Sequence, residues 1–109
     1  MKVNWYSNLK EAIESTTKED GGYMFVRHSL EAGEEAKLHY HPEANEFLVV
    51  DNGVFGVALA RKHQTFRPDG RVIVIHFPKK QKHSLRALAP TSYFVFRDKE
   101  DETIYCQEV

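Results

Sequence analysis

Six histidines occur among 109 residues, and two of them flank one tyrosine in His39-Tyr40-His41. Residues two apart on a β-strand point to the same face, so both imidazoles can reach one ion. Pro42 and Asn45 break that strand, which assigns Glu46 to the next one, where Glu46, Leu48 and Val50 share a face. A carboxylate at the start of that strand can lie beside the two histidines. His83 follows a loop opened by Pro78 and precedes the apolar Leu85 and Leu88, so it can supply a third imidazole from across a barrel. Three neutral imidazoles and one carboxylate suit a divalent transition metal (Fe, Mn, Ni, Co or Zn) and suit calcium or magnesium poorly. An octahedral ion held by four such ligands keeps two positions open, for Lewis-acid or redox chemistry.

The elements that must position these side chains are short strands. Tyr23 to Leu30 is β-rich, and Leu38 to Tyr40 leads into the turn around Pro42-Glu43-Ala44-Asn45. Glu46 to Val50 follows, then a turn at Asp51-Asn52-Gly53 and a strand from Val54 to Ala60. Arg67-Pro68-Asp69-Gly70 is a further turn signal, and Arg71 to Phe77, Ser84 to Leu88, Ser92 to Arg97 and Thr103 to Cys106 read as strands. Such a series predicts an antiparallel barrel or sandwich. Val72 to Ile75 is apolar on both faces, so one face lines the barrel while the other packs on another sheet, the N-terminal segment or a second subunit. Before the strands, Leu9, Ala12, Ile13 and Thr16 have helical spacing. Asn8 with Glu11 forms a capping pattern, and Gly21-Gly22 is the expected stop.

The spacing Gly33, His39, His41, Glu46, Gly53 resembles the first motif of the cupin family at every defining position. Pro78-Lys79-Lys80-Gln81-Lys82-His83 is similar to the second cupin motif, with departures: Lys80 and Val72 replace glycines, and Ala87 replaces an asparagine. A residue other than glycine at such a turn must avoid positive φ or bear its strain. The segment Val54 to Arg71 between the motifs is as short as in small microbial cupins. The resemblance implies an all-β double-stranded β-helix, or jelly-roll barrel, with a short N-terminal helix. It also implies a usual dimer and a metal held by His39, His41, Glu46 and His83. Residues 1–109 are expected to form a single cupin domain, with an N-terminal segment over 1–21 and the barrel over 22–106.

Other residues are open to two readings. His28 alternates with Met24, Val26 and Leu30, while His76 shares a face with Val72 and Val74. Each is a candidate for substrate contact, though a hydrogen-bonded core histidine is the commoner case. Tyr93 is the remaining substrate-contact candidate; the aromatics Tyr93, Phe94, Phe96 and Tyr105 are expected mainly to fill the barrel. His63, beside Arg61 and Lys62, is expected in solvent. Lys79, Lys80, Lys82 and Arg86 bracket His83 and read as a solvated loop before an anion-steering one.

Fifteen basic against sixteen acidic residues give a net charge of −1, which offers no electrostatic case for nucleic acid or an anionic membrane. The apolar runs are too short to span a bilayer, and Met1 to Lys10 lacks the apolar core of a signal peptide. Cys106 is the single cysteine, so no intrachain disulfide forms and the cytoplasm is the expected compartment.

Three functions compete. The first is a metalloenzyme acting on a small organic molecule by dioxygenase, decarboxylase, isomerase or lyase chemistry, in a homodimer. The second is a cupin of sugar-nucleotide or surface-polysaccharide metabolism, because His39 to Val50 looks like a stretch found there. This reading predicts an elongated pocket whose bases are the lysines near His83. The third is a non-catalytic module that binds a small ligand.

Overall fold

The computed structural model describes residues 1–20 and 24–106. Eight strands join in one antiparallel sheet: β1 (Lys2–Tyr6), β2 (Met24–Leu30), β3 (Glu35–Tyr40), β4 (Glu46–Ala58), β5 (His63–Phe66), β6 (Val72–Phe77), β7 (His83–Arg97) and β8 (Ile104–Tyr105). The main path runs β1-β6-β4-β7-β3-β8, with β2 on β7 and β5 on β4. One helix, α1, spans Leu9–Asp20.

Period-2 alternation gives the sheet two dry faces. Leu48, Val50, Ile73 and Ile75 point inward to join Phe55, Val57, Phe66, Phe77, Leu85 and Tyr93. Their neighbours Phe47, Val49, Val72 and Val74 point the other way, onto Ala12 of α1, with Leu9 and Ile13 at the margin. The covering layer that two-faced apolar strands demand is therefore the N-terminal helix. Asn8 Oδ1 accepts the Glu11 N–H at 2.9 Å, which caps the helix. Thr16 is buried and satisfies its hydroxyl on the Ala12 carbonyl at 2.8 Å. The expected stop at Gly21-Gly22, and Tyr23 of the expected strand, lie outside the described residues.

Three expectations of continuity are corrected. The Asp51-Asn52-Gly53 turn does not divide two strands: β4 runs through it, with register shifts between Val50 and Phe55. Ser84 to Leu88 and Ser92 to Arg97 are likewise one strand, β7. Its Pro90 sits where Asn52↔Ser92 gives way to Val54↔Ala89, a bulge that needs no ladder N–H from it. The N-terminal segment is not merely packed on the barrel; β1 pairs with β6 from Lys2↔His76 to Tyr6↔Val72. As an edge strand it is largely open on one side, with Trp5 41% exposed under the Arg71 guanidinium. Strand β5 was not foreseen; His63 opens it and is exposed, as expected of that residue.

Gly53 has φ of 126° and lies against β7, where an added Cβ would stand 2.6 Å from the Thr91 Cα. That approach lets the bulged strands cross closely. We expect Gly53→Ala to lower stability by about 3 kcal/mol through backbone strain plus overpacking. Urea denaturation checks this: the midpoint should fall while the slope stays the same.

Candidate metal centre

Four donors converge at one end of the barrel because three strand ends meet there. His39 is in β3, His41 lies just past its end, Glu46 opens β4 and His83 opens β7. Antiparallel pairing sets His39 opposite His83, and Phe77 at the end of β6 opposite Glu46. The Phe77 ring stacks on His83 at 3.8 Å, which fixes that imidazole's plane. One ligand atom from each of the four residues lies within 4.8 Å of the others, a spread that a single metal ion can bridge. His41, Glu46 and His83 are buried, and His39 is half-buried.

The backbone fixes how the imidazoles present themselves. His39 Nδ1 lies 2.6 Å from the Lys37 carbonyl, His41 Nδ1 3.1 Å from that of Glu102, and His83 Nδ1 2.9 Å from that of Gln81. A carbonyl only accepts, so each Nδ1 is the protonated nitrogen of the neutral ring, and Nε2 carries the lone pair. The Nε2 atoms of His41 and His83 then stand 2.7 and 3.2 Å from the two Glu46 oxygens. His41 Nε2 is buried and, despite its distance, lies off the line of a hydrogen bond. Acceptors facing acceptors in a buried site need a cation between them, and this donor set fits a divalent transition metal.

The charges shift accordingly. Burial works against the Glu46 carboxylate, but the contacts with His41 and His83 outweigh it and hold its pKa far below the carboxylate range. Burial likewise opposes a proton on His41, yet Glu46 prevails and raises that pKa above its ordinary 6.5. His39 moves down, chiefly because it is desolvated.

A cavity of about 280 Å³ opens beside the donors. Leu30, Leu48, Leu85 and Val95 give it apolar walls, and Tyr93, His28, Thr103 and Arg97 give it polar ones. Of the residues singled out in the sequence, the structure brings Tyr93 and His28 to this cavity. Tyr93 is buried there, its phenol pushed up to about 12 by desolvation and by the nearby Glu46. His28 is not a core histidine: it is exposed at the rim, its ring 5.7 Å from that of Tyr93. His76 is elsewhere. It stacks on Phe47 at 4.4 Å, on the helix side of the sheet, within 3.3 Å of Asn45 Oδ1. Lys79, Lys80 and Lys82 line shallow grooves apart from the cavity.

Sequence reasoning missed Arg97. It sits directly across from Glu46 in the β4·β7 ladder, and its Nε donates to Glu46 Oε2 at 3.0 Å. The signal was a lone charge on the inward parity of Tyr93 and Val95 at the end of an apolar strand. Also unread was the segment after β7. There Asp98 accepts from Asn45, and the Asp101 carboxylate accepts the N–H groups of Glu43 and Ala44 at 2.6 and 2.8 Å. These bonds tie down the turn between His41 and Glu46 and bring the Glu102 carbonyl to His41.

No protein-family model matches the chain, and no curated protein matches it in sequence. Solved structures do. A protein with a double-stranded β-helix domain from Klebsiella pneumoniae aligns with a TM-score of 0.67 at 13% identity, over 77% of this chain and 70% of that one. A cupin-2 domain protein from Shewanella frigidimarina gives 0.57 at 19%, over 72% and 69%. The chain has the cupin fold. The capsular polysaccharide assembling protein CapF from Staphylococcus aureus gives 0.62 at 14%, over 80% of this chain but only 27% of CapF. At these identities the likeness extends to the cupin architecture, and the side chains of the site must carry the chemistry. Among the described residues no helix is long and apolar enough to cross a membrane.

Two tests follow from this geometry. Glu46→Gln should weaken metal retention at least about tenfold, since a neutral amide replaces the anionic ligand, whereas exposed Glu43→Gln should leave it unchanged; dialysis followed by elemental analysis compares them. Below the raised His41 pKa, metal entry must also expel a proton from that ring. Because the His41 pKa is raised, apparent affinity should begin to fall above pH 6.5 and continue downward as acid competes. Constant metal content from pH 8 to pH 5 would contradict imidazole ligation.

Proposed function

We propose that this chain is a metal-dependent enzyme acting on a small organic molecule, with His39, His41, Glu46 and His83 holding one Fe, Mn, Ni, Co or Zn ion. The observation that carries the reading is the set of buried Nε2 lone pairs aimed at the Glu46 oxygens beside a lined cavity. A structural site is closed around its metal; here the donors border open volume, which favours exchange of a small ligand. The ion, when bound, supplies Lewis acidity or a redox couple. The protein's own residues do the rest. The backbone carbonyls hold each imidazole's tautomer, and the leucine and valine walls exclude water from one side. Tyr93, protonated at any physiological pH, offers a hydrogen-bond donor within the cavity. At about 280 Å³ the space sits near the lower end of small-molecule pockets, about 300–1,000 Å³.

The cavity argues against the sugar-nucleotide reading. A diphosphate needs cations along an elongated site, and the lysines near His83 face other grooves. Two further parts of the proposal are location in the cytoplasm, supported by the lone Cys106, and assembly as a homodimer. The latter is supported by edge strand β2, whose described pairing is to β7 alone and whose Val26 is 45% exposed. The balanced charge supports neither nucleic acid nor an anionic membrane as a partner.

Elemental analysis of protein purified without chelator or histidine tag tests the reading, with His39→Ala as control. We expect near-stoichiometric first-row metal in the wild type and its loss in the variant. A wild type that neither carries nor takes up any of the five ions would leave a ligand-binding barrel without an enzyme's metal.

A further inference from the structure

We propose that Arg97 anchors a carboxylate of the substrate, so that the cavity selects a small organic acid with a short apolar body. This deepens the reading of a metal-dependent enzyme and rests on it. The side chain is 23% exposed and lines both the main cavity and a smaller adjoining cleft of about 50 Å³, shared with Val26, His28 and Val95. Among the described residues its hydrogen bonding runs through Nε alone, to Glu46 Oε2. A guanidinium has five N–H donors, and among the described residues the four on the terminal nitrogens meet no protein acceptor. Those terminal nitrogens form the planar fork that matches a carboxylate with two parallel bonds.

The other polar groups agree in sign. Tyr93 and Thr103 bring hydroxyl donors, and Glu46 already serves the imidazoles and Arg97. The remaining acid on the wall, Glu35, is exposed and set opposite Arg86 in the β3·β7 ladder. With a divalent ion in place, Glu46 offsets only part of the positive charge, and Arg97 adds to the excess. An anionic ligand is the group that balances such a site, while Leu30, Leu48, Leu85 and Val95 accept only an apolar remainder. A role toward Glu46 alone would leave unexplained why Arg97 also lines the cavity and its adjoining cleft.

Calorimetric titration with two matched pairs, benzoate against benzamide and succinate against succinamide, tests this on cobalt-loaded and on metal-free protein. Wild-type protein should bind each acid at least about tenfold more tightly than its amide. Arg97→Gln should erase that preference, Arg97→Lys should keep part of it, and Tyr93→Phe should weaken the acids a few-fold. An Arg97 that merely supports Glu46 would change metal content or stability and leave the acid-to-amide ratio intact. Equal binding of acid and amide by the wild type, or no binding of either at millimolar concentration, overturns the proposal whatever the variants do. Cobalt content, read separately, reports on the metal site itself. If cobalt fails to bind, the enzyme reading fails, while the acid preference of the metal-free protein still judges Arg97.

Discussion

Four acceptors pointed at one another in a dry site cannot stand without positive charge among them. Glu46 meets Nε2 of His41 and His83 at 2.7 and 3.2 Å, and all three residues are buried. Everything around them holds that arrangement in place against its own repulsion. The three Nδ1–carbonyl bonds deny the rings the tautomer that would relieve it by hydrogen bonding to the carboxylate. Phe77 denies His83 a free rotation. Arg97 supplies part of the missing charge. A divalent ion supplies it centrally, where every lone pair can use it, and that is the physical sense in which the site is made for a metal.

Such precision requires a stiff support, and the sheet obtains it from having two apolar faces. Strands β4 and β6 bury alternate residues inward and outward, so neither can slide by one residue without exchanging core for core of the wrong shape. The helix on the outer face converts what would be an exposed apolar sheet into a second core. The bulges at Gly53 and Pro90 then let the long strands β4 and β7 bend without breaking. The bend brings both ends of β7, His83 and Arg97, to the site that Glu46 enters from the start of β4.

Legibility followed the range of each signal. His39 and His41 were readable from strand periodicity alone, and Glu46 from the turn before it; these are local patterns. His83 was readable as a candidate from Pro78 and the apolar residues after it, but its place opposite His39 is a cross-strand fact. Helix α1 was readable from the spacing of Leu9, Ala12, Ile13 and Thr16 together with the Asn8 cap. Asn52-Gly53 was misread because turn residues also make bulges, and only the partner strand decides between them. His76 was placed correctly beside Val72 and Val74, but when both faces of a strand are apolar the sequence does not say which one faces in. Lys80 is the instructive departure from the second motif. It takes φ of 70° in the turn that precedes His83, so the glycine geometry survives without the glycine, at a cost of about 1 kcal/mol.

Arg97 shows why the same logic could not reach the whole site. A charged residue ending an apolar strand is ordinarily a solvent-facing terminus, and its shared parity with Tyr93 and Val95 is the one local sign to the contrary. The register Glu46↔Arg97 makes it a neighbour of the one buried carboxylate, and the inward parity of Tyr93, Val95 and Arg97 brings it to the cavity wall. One guanidinium then does two electrostatic tasks. Its Nε donates to the Glu46 carboxylate, and the guanidinium's charge adds to the positive potential of the cavity. A bound divalent ion would share Glu46 and leave more of Arg97's charge for an entering anion. In this reading one residue both supports Glu46 and recognises an anion, and a bound divalent ion would strengthen the second role through charge balance alone.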